Sequence, residues 1–223
     1  MVSGGPHMGR RSIAHIRREE FARAAFEVLA IHGMQGTTLQ RVADHTGASK
    51  ASVLHYFSNK QSLIETALRQ SNATLRKEAV ALMNLATTPW ERFYAIIEAN
   101  FSPTTFQPEI AHGWIAMCAE VPHVAQFQRI QAVIYSRLHC NLLTALLATG
   151  IDRVAADSGA ETISLLIDGL WLRCGLRIGG LNRQEATAQI ERVVESLFGD
   201  SAERKAAKTK MAELAAALTS RTQ

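Results

Sequence analysis

The chain has 223 residues, 47% hydrophobic and 20% charged, with a formal net charge of +4. That balance is ordinary for a globular protein and ample for a buried core in one large domain or two small ones. No uninterrupted apolar run reaches the ~18–20 residues of a membrane span, and nothing at the N-terminus reads as a secretory leader, so the sequence is read as soluble and cytoplasmic.

Residues 1–12, opening "MVSGGPHM", read as a disordered arm or a cloning remnant. Phe21, Ala24, Ala25, Val28, Leu29 and His32 then recur at helical spacing, predicting a first helix from about Ile13 or Ile16 to His32 with Gly33 beyond its end. Thr38 is placed to cap a short helix ending near His45, Gly47 makes a turn, and Ser49 caps a second short helix reaching Tyr56. Ser58 and Gln61 have capping-box spacing before a fourth helix that runs through the seventies.

Thr88, Pro89 and Glu91 carry the signals of another helix start, and that helix reaches about Phe101. Pro108 opens the next, and Pro122 separates it from a long helix ending near Gly150. "AETISLLIDGLWLRCGLRI" is apolar nearly all round, which predicts burial on most sides. Asn182 and Glu185 box a last core helix to Phe198, and residues 199–223 form a thin stripe that reads as a marginal surface helix. No stretch alternates as a strand, so the predicted class is all-α.

The whole positive excess lies near the N-terminus: nine Lys/Arg against five Asp/Glu from Gly9 to Arg69, and fifteen of each thereafter. This is the asymmetry expected where one end meets a polyanion. Cys118, Cys140 and Cys174 are odd in number and share no short spacing, which argues against a disulfide framework or a zinc knuckle.

The segment "TTLQRVADHTGASKASVLHYFSNKQSL" has the offsets of a helix-turn-helix. Ala43 is small where two helices cross, Gly47 supplies the turn, and Val42, Ala48, Val53 and Tyr56 complete an inward set. The outward set then faces solvent or DNA. Lys50 suits a guanine edge or phosphate, Ala51 and Ser52 allow close approach, and His55 and Tyr56 suit base or phosphate contact. Thr38, Ser49 and Lys60 stand at helix N-termini, where backbone N–H groups favour phosphate, and Gln40 and Arg41 lie in the preceding first turn.

This segment resembles the DNA-binding domain of the TetR family of transcriptional regulators, in its Thr-rich start, its spaced Ala, Gly and Ser, and its "YFSNK" exit. "HYFSNK" and "LIDGLWLRCGL" are further similar to the choline-responsive branch of that family. The resemblance spans roughly residues 13–198. It implies a helix-turn-helix domain over 13–60 and a ligand-binding and dimerisation domain over 61–198. It further implies a homodimer on a palindromic double-stranded operator, acting as a repressor released by a small effector. No cofactor or metal is implied.

A choline-like cation wants π faces and a counter-charge, because a quaternary ammonium cannot donate an N–H hydrogen bond. The residues chosen for that site are Phe101, Trp114, Tyr135 and Trp171, with Asp168 or Glu120 as carboxylate. An aldehyde or a polyamine is the alternative effector. An enzyme is disfavoured: His112, His123 and His139 lack metal-ligand spacing, and no phosphate loop follows a strand. A pure protein-interaction module leaves the localised charge unexplained.

Overall fold

The computed structural model describes the backbone of residues 7–220 and the side chains of residues 13–220. Among these residues there are ten helices and no strand: α1 (His7–Gly36), α2 (Leu39–His45), α3 (Lys50–Tyr56), α4 (Lys60–Leu85), α5 (Pro89–Asn100), α6 (Pro108–Cys118), α7 (Ala125–Ala148), α8 (Arg153–Gly175), α9 (Arg183–Phe198) and α10 (Ala202–Ser220). The chain forms two compact units, Met1–Asn72 and Ala73–Gln223, and the division falls within α4. No described helix is long and apolar enough to cross a membrane.

The first unit is built on the predicted inward set. Val42, Ala43 and Val53 are fully buried with Phe21, Ala25, Val28, Phe57 and Leu63, and Ala48 and Tyr56 pack partly against them. The Thr38 hydroxyl accepts from Arg41 N–H at 3.1 Å and that of Ser49 from Ser52 N–H at 3.1 Å, so both short helices start where their caps dictate. Between them Gly47 takes φ +65, a conformation that a side chain resists. Each helix has only seven residues, too few for stability alone, so their shape comes from this packing.

The first helix breaks after His32 as expected, at Gly33 (φ 65, ψ −179), and a further helical turn within α1 reaches Gly36. One local expectation is corrected. The Ser58/Gln61 capping box does not form. Asn59 caps α4 instead, its side-chain oxygen accepting from Ser62 N–H at 2.8 Å, because it sits one residue closer to the first turn. Residues 7–12 of the predicted arm lie in α1, and residues 1–6 lie outside the described residues.

In the second unit α6 and α7 both pack on α8, and α5 packs on α7 and α10. Gly175 permits the closest crossing: a Cβ there would stand 2.6 Å from the Ala111 carbonyl carbon and 2.7 Å from His112 N. α8 buries one stripe, including Ala156, Ala160, Ile163, Ile167, Leu170 and Cys174, rather than most of its circumference. Leu165 is 65% exposed and Leu172 43%.

The C-terminal tail is a core element, contrary to the marginal helix expected. Ala207, Met211 and Ala215 join the main core, and Arg204 is 1% exposed. Its guanidinium donates to the Tyr94 hydroxyl at 2.8 Å and pairs with Glu191, while Lys210 pairs with Glu91 at 2.8 Å. Burial raises the Glu91 pKa, but Lys210 and the Thr87 N–H and hydroxyl outweigh it and hold the carboxyl at about 2. Truncating fully buried Met211 to Ala is expected to cost ~2–5 kcal/mol in urea unfolding; a change within about 0.5 kcal/mol would return the tail to the surface.

Candidate nucleic-acid interface and ligand site

α3 turns Val53 into the core and leaves Lys50, Ala51, Leu54 and His55 exposed, with Ser52 half-buried between. Lys50 has no protein partner among the described residues, so its ammonium is free for an anion. The other predicted contact residues are more occupied. Gln40 donates to Asp44 at 2.7 Å, Arg41 donates to the Gly36 carbonyl, and Lys60 donates to the Met34 carbonyl. The charges of Arg41 and Lys60 therefore brace the C-terminal end of α1. Thr38 and Ser49 spend their oxygens as caps while keeping their O–H groups available.

Two residues at this face escaped the sequence argument. Leu54 adds an exposed apolar side chain, 44% accessible, to the outward surface. Arg18 on α1 donates to the Tyr56 carbonyl at 2.7 Å and to Thr66 Oγ1 at 3.2 Å, with its guanidinium 4.5 Å from the Phe57 ring centroid. A cation on the last carbonyls of α3 satisfies that helix end and fixes its direction. Tyr56 itself packs on Phe21 and His55, at ring separations of 5.6 and 5.1 Å. The signal of Arg18 in sequence was only a basic residue on the α1 face, which has no distinguishing pattern.

The second unit brings most of the predicted ligand residues together. Trp114 on α6 and Trp171 on α8 meet at 6.2 Å, Trp171 meets Phe106 at 5.5 Å, and Phe106 meets Phe101 at 5.0 Å, each edge to face. Phe101 is fully buried and touches Trp171 only through Phe106, a ring the sequence argument had not chosen. The Trp171 indole N–H donates to the Asn100 carbonyl at 3.1 Å, which fixes its plane.

Asp168 lies three residues before Trp171 on α8 and makes no hydrogen bond or ion pair among the described residues. Burial pushes its carboxyl up to about 6. Its charge is felt on two other helices. Burial, and then Asp168, raise the Cys118 thiol on α6 to about 12, and the same two causes raise the Tyr135 phenol on α7. Cys118 is thus an inert thiol, and Tyr135 a neutral donor near a carboxylate. Glu120 follows α6 in a turn, and no contact joins it to this group. The described residues contain no cluster of three or more metal-ligating side chains.

Residues 22–67 match the family described as bacterial regulatory proteins of the tetR family, and residues 89–199 match the BetI-type transcriptional repressor C-terminal family. The HTH-type transcriptional regulator BetI of Rhizobium meliloti is 32% identical over 181 residues, covering 81% of this chain and 89% of that protein. Two solved structures share the fold. A transcriptional regulator of Pseudomonas aeruginosa superposes with TM-score 0.70 at 23% identity, covering 82% of this chain and 90% of its own. Another, from Saccharomonospora viridis in complex with choline, has TM-score 0.72 at 18% identity, covering 81% and 96%. The chain therefore belongs to the TetR family of transcriptional regulators, which act by binding DNA. Within the family it is of the BetI repressor type.

The unpaired carboxylate has a measurable consequence. An exposed Asp has a pKa of ~3.9, so raising it to about 6 makes ionisation cost stability progressively between those values and fully above them. Asp168→Asn is therefore expected to melt higher than the unchanged protein at pH 7.5 and to match it near pH 4 in the absence of ligand. A lower melting temperature at pH 7.5 would mean the carboxylate has a stabilising partner.

Proposed function

We propose that the chain acts in the cytoplasm as a homodimer on a palindromic operator, and that a choline-like cation releases it. The observation that carries the effector is the partnerless Asp168 carboxylate beside the Trp114–Trp171 pair. A quaternary ammonium needs no hydrogen-bond acceptor; it needs an anion nearby and electron-rich faces, and desolvation strengthens both attractions. The choline held by the Saccharomonospora viridis regulator supports the same ligand class here.

Lys50, Ala51, Ser52 and His55 are the proposed groove contacts, with Leu54 beside them. Thr38, Gln40, Ser49 and Tyr56 flank them, and Arg41 and Lys60 serve once their carbonyl contacts exchange for phosphate. The proposed dimer face is formed by α8 and α9 of each copy as a four-helix bundle. Leu165 and Leu172 are two turns apart on one face of α8, and Leu197 on α9 is also exposed. This face accounts for the apolar residues of α8 that one chain leaves uncovered. A palindrome would then hold two α3 helices ~34 Å apart, and effector binding would favour a dimer of different spacing.

Two measurements test these assignments. In fluorescence anisotropy with a duplex from the gene's own upstream region, Lys50→Ala is expected to weaken binding by ~1–3 kcal/mol, roughly 5- to 150-fold, at unchanged melting temperature. Equal binding of random and upstream duplexes would remove the specific operator. Choline at about 100 times its Kd should stabilise the folded protein by ~2.7 kcal/mol, and Asp168→Asn should abolish that gain. No melting shift with any quaternary ammonium would remove the cation.

A further inference from the structure

Leu54 is the large apolar side chain that α3 leaves in solvent, 44% exposed between fully buried Val53 and Phe57 just beyond the helix. Its direction is fixed by the ends and the rotation of α3. Ser49 caps the start of the helix, Val53 sets its rotation on the core, and Arg18 holds the Tyr56 carbonyl at its end at 2.7 Å. At about 100° per residue, Leu54 stands roughly 40° from Lys50 and roughly 60° from Ala51 around the axis. Side chains on a helix lean toward its N-terminus, so Leu54 leans over the patch that Lys50 and Ala51 expose.

The chemistry of base-pair edges leaves such a side chain one kind of partner. In the major groove guanine offers two acceptors, adenine an acceptor and a donor, and cytosine a donor; thymine offers an acceptor and its C5 methyl group. A leucine set against a donor or acceptor strips its water and returns no hydrogen bond. Set against the methyl group, it buries apolar area on both partners. We infer that Leu54 is a specificity-determining contact, which packs on the C5 methyl of a thymine in each operator half-site and selects a T·A pair there. This rests on the proposal above that α3 enters the major groove, and names the base that one of its residues reads.

The assignment divides the work along the exposed face of α3. The Lys50 ammonium is drawn to guanine acceptors and to any phosphate, so part of its contribution is independent of sequence. Leu54 carries no charge, and its contact releases no counterion. Shortening it therefore relaxes discrimination at one base pair and leaves the salt dependence of binding as it was. A side chain that only supported the fold would weaken binding to every sequence alike and lower the melting temperature.

Fluorescence anisotropy of the full-length protein on the upstream duplex tests this, with each thymine replaced in turn by deoxyuridine. That exchange removes the methyl group and keeps every hydrogen-bonding group. The unchanged protein is expected to lose about 4-fold in affinity at one thymine of each half-site, the effect of one buried methyl group. Leu54→Ala is expected to bind the thymine duplex several-fold more weakly and to ignore deoxyuridine at those two positions, with the salt slope and melting temperature unchanged. Leu54→Gln, of similar length, is expected to ignore it as well. Indifference of the unchanged protein to deoxyuridine at every position, with the upstream duplex still preferred over a random one, would overturn the role of Leu54 and leave groove reading standing. A full deoxyuridine response retained in either variant would also overturn it, by assigning the methyl group to another side chain. Equal binding of upstream and random duplexes would remove the groove reading itself.

Discussion

The second unit is organised around a carboxylate that it does not neutralise. Three other acids of that unit are matched by cations: buried Glu91 by Lys210, buried Glu98 by Arg183, and half-buried Glu191 by Arg204. Breaking any of those pairs would strand a charge in the interior, at a cost of ~3–5 kcal/mol. Asp168 carries no such partner among the described residues, and desolvation pushes its carboxyl up to about 6. A fold that supplies three cations to three acids has the means to supply a fourth. Leaving it out at the end of an aromatic chain is consistent with a site whose cation arrives from solution.

The paired acids and the unpaired one are mechanically linked. α10, which begins beyond the BetI-type match ending at residue 199, fastens to α5 through Lys210 and Tyr94 and to α9 through Glu191. The far end of α5 then presents two carbonyls: that of Asn100 to the Trp171 indole and that of Phe101 to Arg183 at 2.7 Å. Trp171 is therefore held by its N–H as well as by its ring neighbours. An aromatic wall fixed before ligand arrives loses little freedom on binding, which is how a small cation gains affinity from few contacts. The extension stabilises the helix that orients the wall without touching the wall.

What was legible in the sequence follows from what repeats locally. Caps, turn glycines and helical periodicity are short-range signals, so α2, α3 and α5 were placed by Thr38, Ser49 and Thr88, each of which accepts from its own first turn. The pairings of Arg18 with Tyr56 and of Arg204 with Tyr94 span 38 and 110 residues, and no local pattern encodes them. For α10 the stripe of Met211, Leu214, Ala215 and Leu218 looked thin for a core helix, and nothing local marks Ala207 or Arg204 as buried beside it. In the ligand constellation, Trp114, Trp171 and Asp168 were visible as residue types suited to a cation.

α8 also places the proposed cation site and the proposed dimer face side by side. At about 100° per residue, its buried stripe, Trp171, Asp168 and the exposed leucines follow one another around the helix. Asp168 and Leu165, three apart, stand roughly 60° from each other, and Leu172 follows Trp171 directly. The carboxylate thus sits on the shoulder between the core and the exposed apolar face. A cation bound there would act where α6 and α7 pack on α8, because both helices lie on it. If Leu165 and Leu172 meet their counterparts in a second chain, a rotation or shift of α8 by a small amount alters both surfaces at once. The differential contact that population shift requires would then be built into one helix, with its two functions on adjoining faces.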